Sequence, residues 1–203
     1  MSNVGKTYWS KKLESVGFER FGCDDMIEER LEKELRNQGF NGIHDVAKWL
    51  GQPFEPQYER NSKKYLEIEK NVMGKVIDKL CYHDTYHGNI VVDTTGSVIY
   101  TGGDTLKSLA NLSTVVLLDV SNEALDALYE SYIREPKPVV WGESFKKQNG
   151  ESDMQALRLC YPKLLQYRTV HYKRLAHKVV EAETLRAAHF DAYQFLQLLN
   201  LSS

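Results

Sequence analysis

Apolar residues recur along this chain at two periods, and stretches of the two alternate. After a first helical stretch from Tyr8 to Leu13, Gly17 marks a turn and Phe18-Glu19-Arg20-Phe21 alternates like a short strand. Asp24 then stands as the cap of a charged amphipathic helix, Met26 to Arg36, ended by Asn37-Gln38-Gly39. A short helix is expected around His44 to Leu50. Breaks at Gly51-Gln52-Pro53 and Pro56 precede a long one, roughly Ser62 to Leu80. Asn89 to Asp93 is an apolar run ending in an acid, continued by a second strand signal at Ser97 to Tyr100 and running into Thr101-Gly102-Gly103-Asp104. Thr114 to Val120 carries the strongest strand signal. Ser121 caps the helix behind it, with Glu123 in the first turn. A loop from Arg134 to Gly150, a helix from about Ser152 to Lys173, a strand from His177 to Val180 and a helix from Glu183 to Leu199 complete the chain. In the last helix Tyr193, Phe195, Leu196 and Leu199 form a packing stripe. Alternating helix and strand signals predict an α/β fold.

Composition changes this picture little. The 203 residues are 42% hydrophobic and 27% charged, the balance of one globular domain spanning 1–203 with enough chain to bury a core. A formal charge of −2 gives no electrostatic case for a nucleic-acid or membrane partner, so anion binding has to be local. No apolar run reaches membrane-spanning length. Cys23, Cys81 and Cys160 are odd in number and far apart, which fits a reducing compartment; the expectation is a cytoplasmic monomer, and any targeting segment would lie upstream.

The chemistry begins at the first residues. Met1 to Thr7 reads M-S-N-V-G-K-T, a phosphate-binding loop G-x-x-x-x-G-K-[ST] without its first glycine. In such a loop the backbone N–H groups of Ser2, Asn3, Val4, Gly5 and Lys6 wrap a polyphosphate. The lysine (Lys6) reaches the β/γ oxygens, and the hydroxyl (Thr7) ligates Mg²⁺. Such a loop normally follows a buried strand, so the expectation is that a strand and the first glycine precede Met1, or that both have been lost.

The order of parts resembles the shikimate kinase family, small-molecule kinases of the P-loop group, from Ser2 to about Val180. F-G-C-D-D-M-I-E (Phe21 to Glu28) is similar to the family's strand-to-helix segment and puts Asp24 at the acid that holds substrate hydroxyls. The family's first acid there, which helps hold Mg²⁺, falls on Gly22. Gly102-Gly103-Asp104 is similar to its triple-glycine loop against the substrate. Asn111 matches its Asn-Arg pair, with Leu112 at the arginine. L-L-Q-Y-R-T-V-H-Y (Leu164 to Tyr172) places Arg168 at the arginine that binds the substrate carboxylate, whereas the other carboxylate arginine falls on Leu66. Lys137-Pro138-Val139-Val140 resembles the lid segment, with Arg134 near enough to substitute. The resemblance implies a three-layer P-loop kinase fold with a parallel sheet of about five strands, the first missing from this chain. It also implies a substrate insert at about 24–80, a lid at about 134–150 and a C-terminal helix at about 183–199.

The expected function is ATP-dependent phosphoryl transfer to a hydroxyl of a small polar or acidic molecule, with ATP and Mg²⁺ as cofactors. Lys6 and Asp24 would be catalytic, and Asp93 would serve as a second Mg²⁺ ligand or as a turn-forming residue before Thr94-Thr95-Gly96. Arg134 and Lys137 would close on the nucleotide, while Gly102, Gly103 and Arg168 would meet the acceptor. Two alternatives stand beside this: a non-catalytic descendant that binds a partner, and a kinase for another polyol or sugar acid. Cys81, His83, Asp84 and His87 are metal-ligand types without a second pair at zinc spacing, and are set aside.

Overall fold

A computed structural model of the protein describes residues 4–40, 43–83, 88–121, 124–135, 137–187 and 190–201. In chain order the elements are α1 (Lys6–Glu14), β1 (Glu19–Gly22), α2 (Cys23–Asn37), α3 (Ile43–Leu50), α4 (Tyr58–Cys81), β2 (Ile90–Asp93) and α5 (Gly103–Leu112). They continue with β3 (Val116–Asp119), α6 (Ala124–Arg134), α7 (Asp153–Leu175), β4 (Lys178–Glu181), α8 (Ala182–Ala187) and α9 (Ala192–Leu198).

Four-residue spacing of apolar side chains builds the first half. In α2 the buried positions Cys23, Ile27, Leu31 and Leu35 lie on one face, and Asp24 and Asp25 complement the positive helix start. In α4 the stripe Tyr65, Glu69, Val72, Met73 and Val76 faces it. These helices bury a core completed by Val46, Trp49 and Leu50 of α3 and by Val98 and Leu109. A second core gathers Trp9 and Leu13 of α1, Tyr129 and Tyr132 of α6, Leu157 and Leu164 of α7, Trp141 and Phe195. Tyr58 and Tyr172 pack against both. The start of α7 is fixed by a capping box, in which the Ser152 hydroxyl accepts from the Gln155 N–H and the Gln155 side chain accepts from the Ser152 N–H.

The expected parallel sheet of about five strands in a three-layer kinase fold does not form. Helices make up most of the described residues. The described strands, four residues each, make two separate parallel pairs, β1 with β2 and β3 with β4. Strand pairing is set by tertiary packing, and here the pairs stand apart: residues of both, Ile90–Asp93 and Val116–Leu118, line one cavity of about 800 Å³, and no ladder joins the pairs among the described residues. The second strand signal, Ser97 to Tyr100, is also not a strand. Tyr100 N–H donates to Ser97 C=O at 2.8 Å and Thr101 N–H to Val98 C=O at 3.1 Å, closing a 3-10 turn over Val98–Tyr100. The expected last helix divides into α8 and α9, the latter opened by its own capping box at Asp191 and Gln194.

Candidate functional site

Gly5 adopts φ 101° and ψ 7°, a left-handed conformation that suits glycine, and α1 begins at the next residue. Gly5 C=O accepts from Trp9 N–H at 3.0 Å, which leaves the N–H groups of the first turn unbonded within the helix. Lys6 is half-buried at this terminus and Thr7 is exposed beside it. Val4 is 3% exposed and its side chain belongs to the apolar core with Trp9 and Leu13. Ser2 and Asn3 lie outside the described residues, as do Glu123, Asp84 and His87.

The next turn of chain brings the acid. β1 ends at Gly22, which occupies the cap position of α2 with no side-chain bond, so Asp24 is not the cap. It sits half-buried in the first turn. Burial pushes the Asp24 carboxyl above its ordinary range, Lys6 and Lys137 draw it down, and Asp93 pushes it up. The same burial holds the Lys6 ammonium below its ordinary value against the pull of Asp24 and Asp93, with Lys137 and Arg168 adding to the depression. Asp93 and Lys137 thus act on both Lys6 and Asp24, although the four come from α1, α2, β2 and the segment after α6.

Asp93 ends β2 at 7% exposure. Its Oδ2 accepts from Ser10 Oγ at 3.3 Å and from Arg20 Nη2 at 3.4 Å, while Oδ1 is buried without a hydrogen-bond partner among the described residues. Arg20 reaches further, donating from Nε to Ser10 Oγ at 2.9 Å and from Nη1 to Asp25 Oδ2 at 3.0 Å. A Cβ at Gly22 would collide with the Asp25 carboxylate and stand 2.6 Å from Arg20 Nη2. Glycine there is what allows the guanidinium to fold across.

Arg168 of α7 is 3% exposed and donates from Nη2 to Val140 C=O at 2.7 Å. Its guanidinium lies 5.9 Å from the Tyr100 ring centre, and its Nε has no partner among the described residues. Gly102 has φ 114° and is exposed, and a Cβ at Gly102 or at Gly103 would meet nothing within 4 Å. Arg134 is exposed at the end of α6, and Leu66 packs half-buried against the first core.

One member of the site went unread in the sequence. Glu69 is fully buried, with Oε1 accepting from the Thr95 hydroxyl and Oε2 lacking a partner among the described residues. Burial raises its carboxyl to about 7, with the Thr95 and Ser97 hydroxyls opposing. The signal was available: an acid at the four-residue spacing of an apolar stripe, between Tyr65 and Met73.

Among the described residues no group of three or more His, Cys, Asp or Glu side chains is placed to hold a metal ion. Cys81 is exposed, and the His83 ring is bonded to Gly88 C=O at 2.6 Å. Among the described residues no helix is long and apolar enough to cross a membrane. Compared with known proteins, the chain matches no family model and no curated sequence.

Proposed function

We propose that the protein transfers the γ-phosphoryl group of ATP to a hydroxyl of a small polar or acidic molecule, in the manner of the shikimate kinase family it resembles. The observation that carries this is the gathering of Asp24, Asp93 and Lys137 near enough to Lys6, at the start of α1, to act on its charge. Two cations and two carboxylates at a helix N-terminus suit a reaction that needs positioning and charge neutralisation more than covalent chemistry.

In this scheme Lys6 and Lys137 hold the phosphoryl oxygens and the N–H groups at the start of α1 point to them. Asp24 orients the acceptor hydroxyl and takes its proton as the oxygen bonds to the γ-phosphorus and the bond to the β-phosphate oxygen breaks. Mg²⁺ would be held by the nucleotide phosphates, the Thr7 hydroxyl and Oδ1 of Asp93, which has no partner among the described residues, and would neutralise charge on the phosphates. Gly102 and Gly103, with open space beside them, give the acceptor an approach to the backbone. Arg168 offers its Nε to an anionic or strongly polar group of the acceptor. Leu66 supplies no second cation, so shikimate is expected to be a poor substrate. The scheme includes a reducing, cytoplasmic setting, consistent with Cys23 and Cys160 buried as thiols.

One observation favours a second reading, a nucleotide-binding protein without catalysis. The Arg20 guanidinium already neutralises Asp93. Thermal shift with ATP and Mg²⁺, followed by ADP release over a panel of hydroxy acids and polyols, separates the two. Binding together with turnover that Asp24→Asn abolishes supports the kinase; binding without turnover supports the second reading. No thermal response to ATP, ADP or Mg²⁺ removes both.

A further inference from the structure

Three oxygens from three elements converge on one guanidinium. Arg20 of β1 donates from Nε to Ser10 Oγ at 2.9 Å, from Nη1 to Asp25 Oδ2 at 3.0 Å and from Nη2 to Asp93 Oδ2 at 3.4 Å. Its side chain is 10% exposed, so the charge is held inside the protein against α1, α2 and β2. The planar fork of a guanidinium suits acceptors spread around it in this way, where the compact ammonium of a lysine does not.

Two carboxylates and a hydroxyl are also hard donors of the kind that hold Mg²⁺ or Mn²⁺. Ser10 Oγ and Asp93 Oδ2 stand 3.3 Å apart. Adjacent ligands of an octahedral ion, each at about 2.1–2.4 Å from it, lie about 3.0–3.4 Å from one another. The Asp25 side chain is 68% exposed, with room to turn inward. The other oxygen of Asp93, Oδ1, is buried with no partner among the described residues, on a side chain only 5% exposed. A buried oxygen left unpaired is costly, and this one is a donor that Arg20 does not use. Without Arg20 the two carboxylates would leave a pair of negative charges, which a divalent ion matches.

We propose that Arg20 is the resident cation of a latent divalent-cation site made by Asp93, Asp25 and Ser10, and that it holds the affinity of Asp93 for Mg²⁺ or Mn²⁺ low. An entering ion meets the Arg20 charge and that of Lys6, on which Asp93 also acts. Gly22 makes room for this arrangement. A Cβ there would stand 2.6 Å from Arg20 Nη2 and crowd the Asp25 carboxylate, both of them ends of flexible side chains. For the phosphoryl transfer proposed above, on which this consequence rests, the charge of Asp93 is neutralised before any nucleotide arrives. A divalent ion then meets Asp93 only at Oδ1 and in company with the phosphates.

The test titrates Mn²⁺ into the full chain, freed of metal and without nucleotide, and reads binding by electron paramagnetic resonance. Arg20→Gln removes the guanidinium, and Gly22→Ala displaces it while keeping every charge. Each variant is expected to bind Mn²⁺ more tightly than the native chain by about tenfold or more. Mg²⁺ should raise the melting temperature of Arg20→Gln and leave that of the native chain unchanged. Adding Asp93→Asn should return the Mn²⁺ affinity to the native level. No gain in a folded Arg20→Gln, or a gain that survives Asp93→Asn, overturns the proposal. If Arg20→Gln fails to fold, Gly22→Ala decides by the same readings, since it moves only side-chain ends. ATP calorimetry on the native chain separates the two proposals. Absent ATP binding removes the kinase scheme and leaves the cation site, whereas ATP binding without a gain of Mn²⁺ in the variants removes the cation site alone.

Discussion

The Arg20 guanidinium stands 3.4 Å from the Asp93 carboxylate, with the two side chains 10% and 5% exposed. This pair ties β1 to β2 across their shared ladder, and Ser10 of α1 bonds to both partners. It is a charge pair inside the protein, and the apolar alternative at such a site is often no less stable. What the pair does is fix the carboxylate beside the start of α1.

Breaking it from one side leaves a buried charge without its counterpart. Arg20→Leu is expected to cost about 3 kcal/mol of unfolding free energy in urea titration, with Asp93→Asn in the same chain recovering a good part of that loss. Additive single and double variants would show that the two groups do not interact.

Glu69 makes stability depend on pH with a definite sign. Its folded carboxyl sits at about 7, above the ordinary 4.5, so between those values the folded state holds a proton that the unfolded state has released. Stability should therefore fall as pH rises from about 4.5 to about 7 and then level off, with an upper bound on the order of 3 kcal/mol. Glu69→Gln keeps an acceptor for Thr95 and removes the titration, so it should flatten that part of the profile and gain stability at pH 8. An unchanged slope in the variant would assign the dependence to other groups.

Lys6 and Lys11 provide a matched comparison on one helix. Lys6 is half-buried at the start of α1 and Lys11 is exposed in its last turn. Lys6→Ala should weaken ATP by about ten- to a hundredfold in calorimetric titration while Lys11→Ala leaves it unchanged. Lys12 is not a suitable control, because its Nζ donates to Phe190 C=O at 2.7 Å and its loss would also disturb packing.

Tyr58 holds the segment after α6 to α4. Its hydroxyl accepts from Trp141 N–H at 2.7 Å and lies 3.4 Å from Val139 C=O as donor. Tyr58→Phe keeps the ring and leaves a buried N–H without its acceptor, for an expected loss of about 1–3 kcal/mol by thermal or urea unfolding. No loss would mean that water or another group takes the hydroxyl's place.

How much of this was legible follows from the range of each interaction. The stripe of α2, the Ser152 start of α7 and the apolar run of β3 are local patterns, and the structure keeps them within a few residues of their expected bounds. The 3-10 turn at Val98–Tyr100 was misread because Val98 and Ile99 have strand-like side chains while tertiary packing sets the backbone. The sheet was misread because strand pairing is not local. Nothing in the residues of β2 and β3 alone says whether their edges meet. Asp24 and Asp93 could be singled out by residue type and position, although the cap of α2 is Gly22 and not Asp24, and the Arg20 bridge could not, since it joins residues 73 apart. Glu69 needed only attention to an acid inside an apolar stripe.

The packing of Tyr58 and Tyr172 against both cores has a thermodynamic consequence. With no ladder between the two strand pairs among the described residues, cooperativity of melting is transmitted by side chains and by α1, not by a continuous sheet. Shaving either ring should therefore do more than lower the melting temperature. It should widen the transition, so that the calorimetric enthalpy exceeds the van't Hoff enthalpy and one melting event begins to resolve into two.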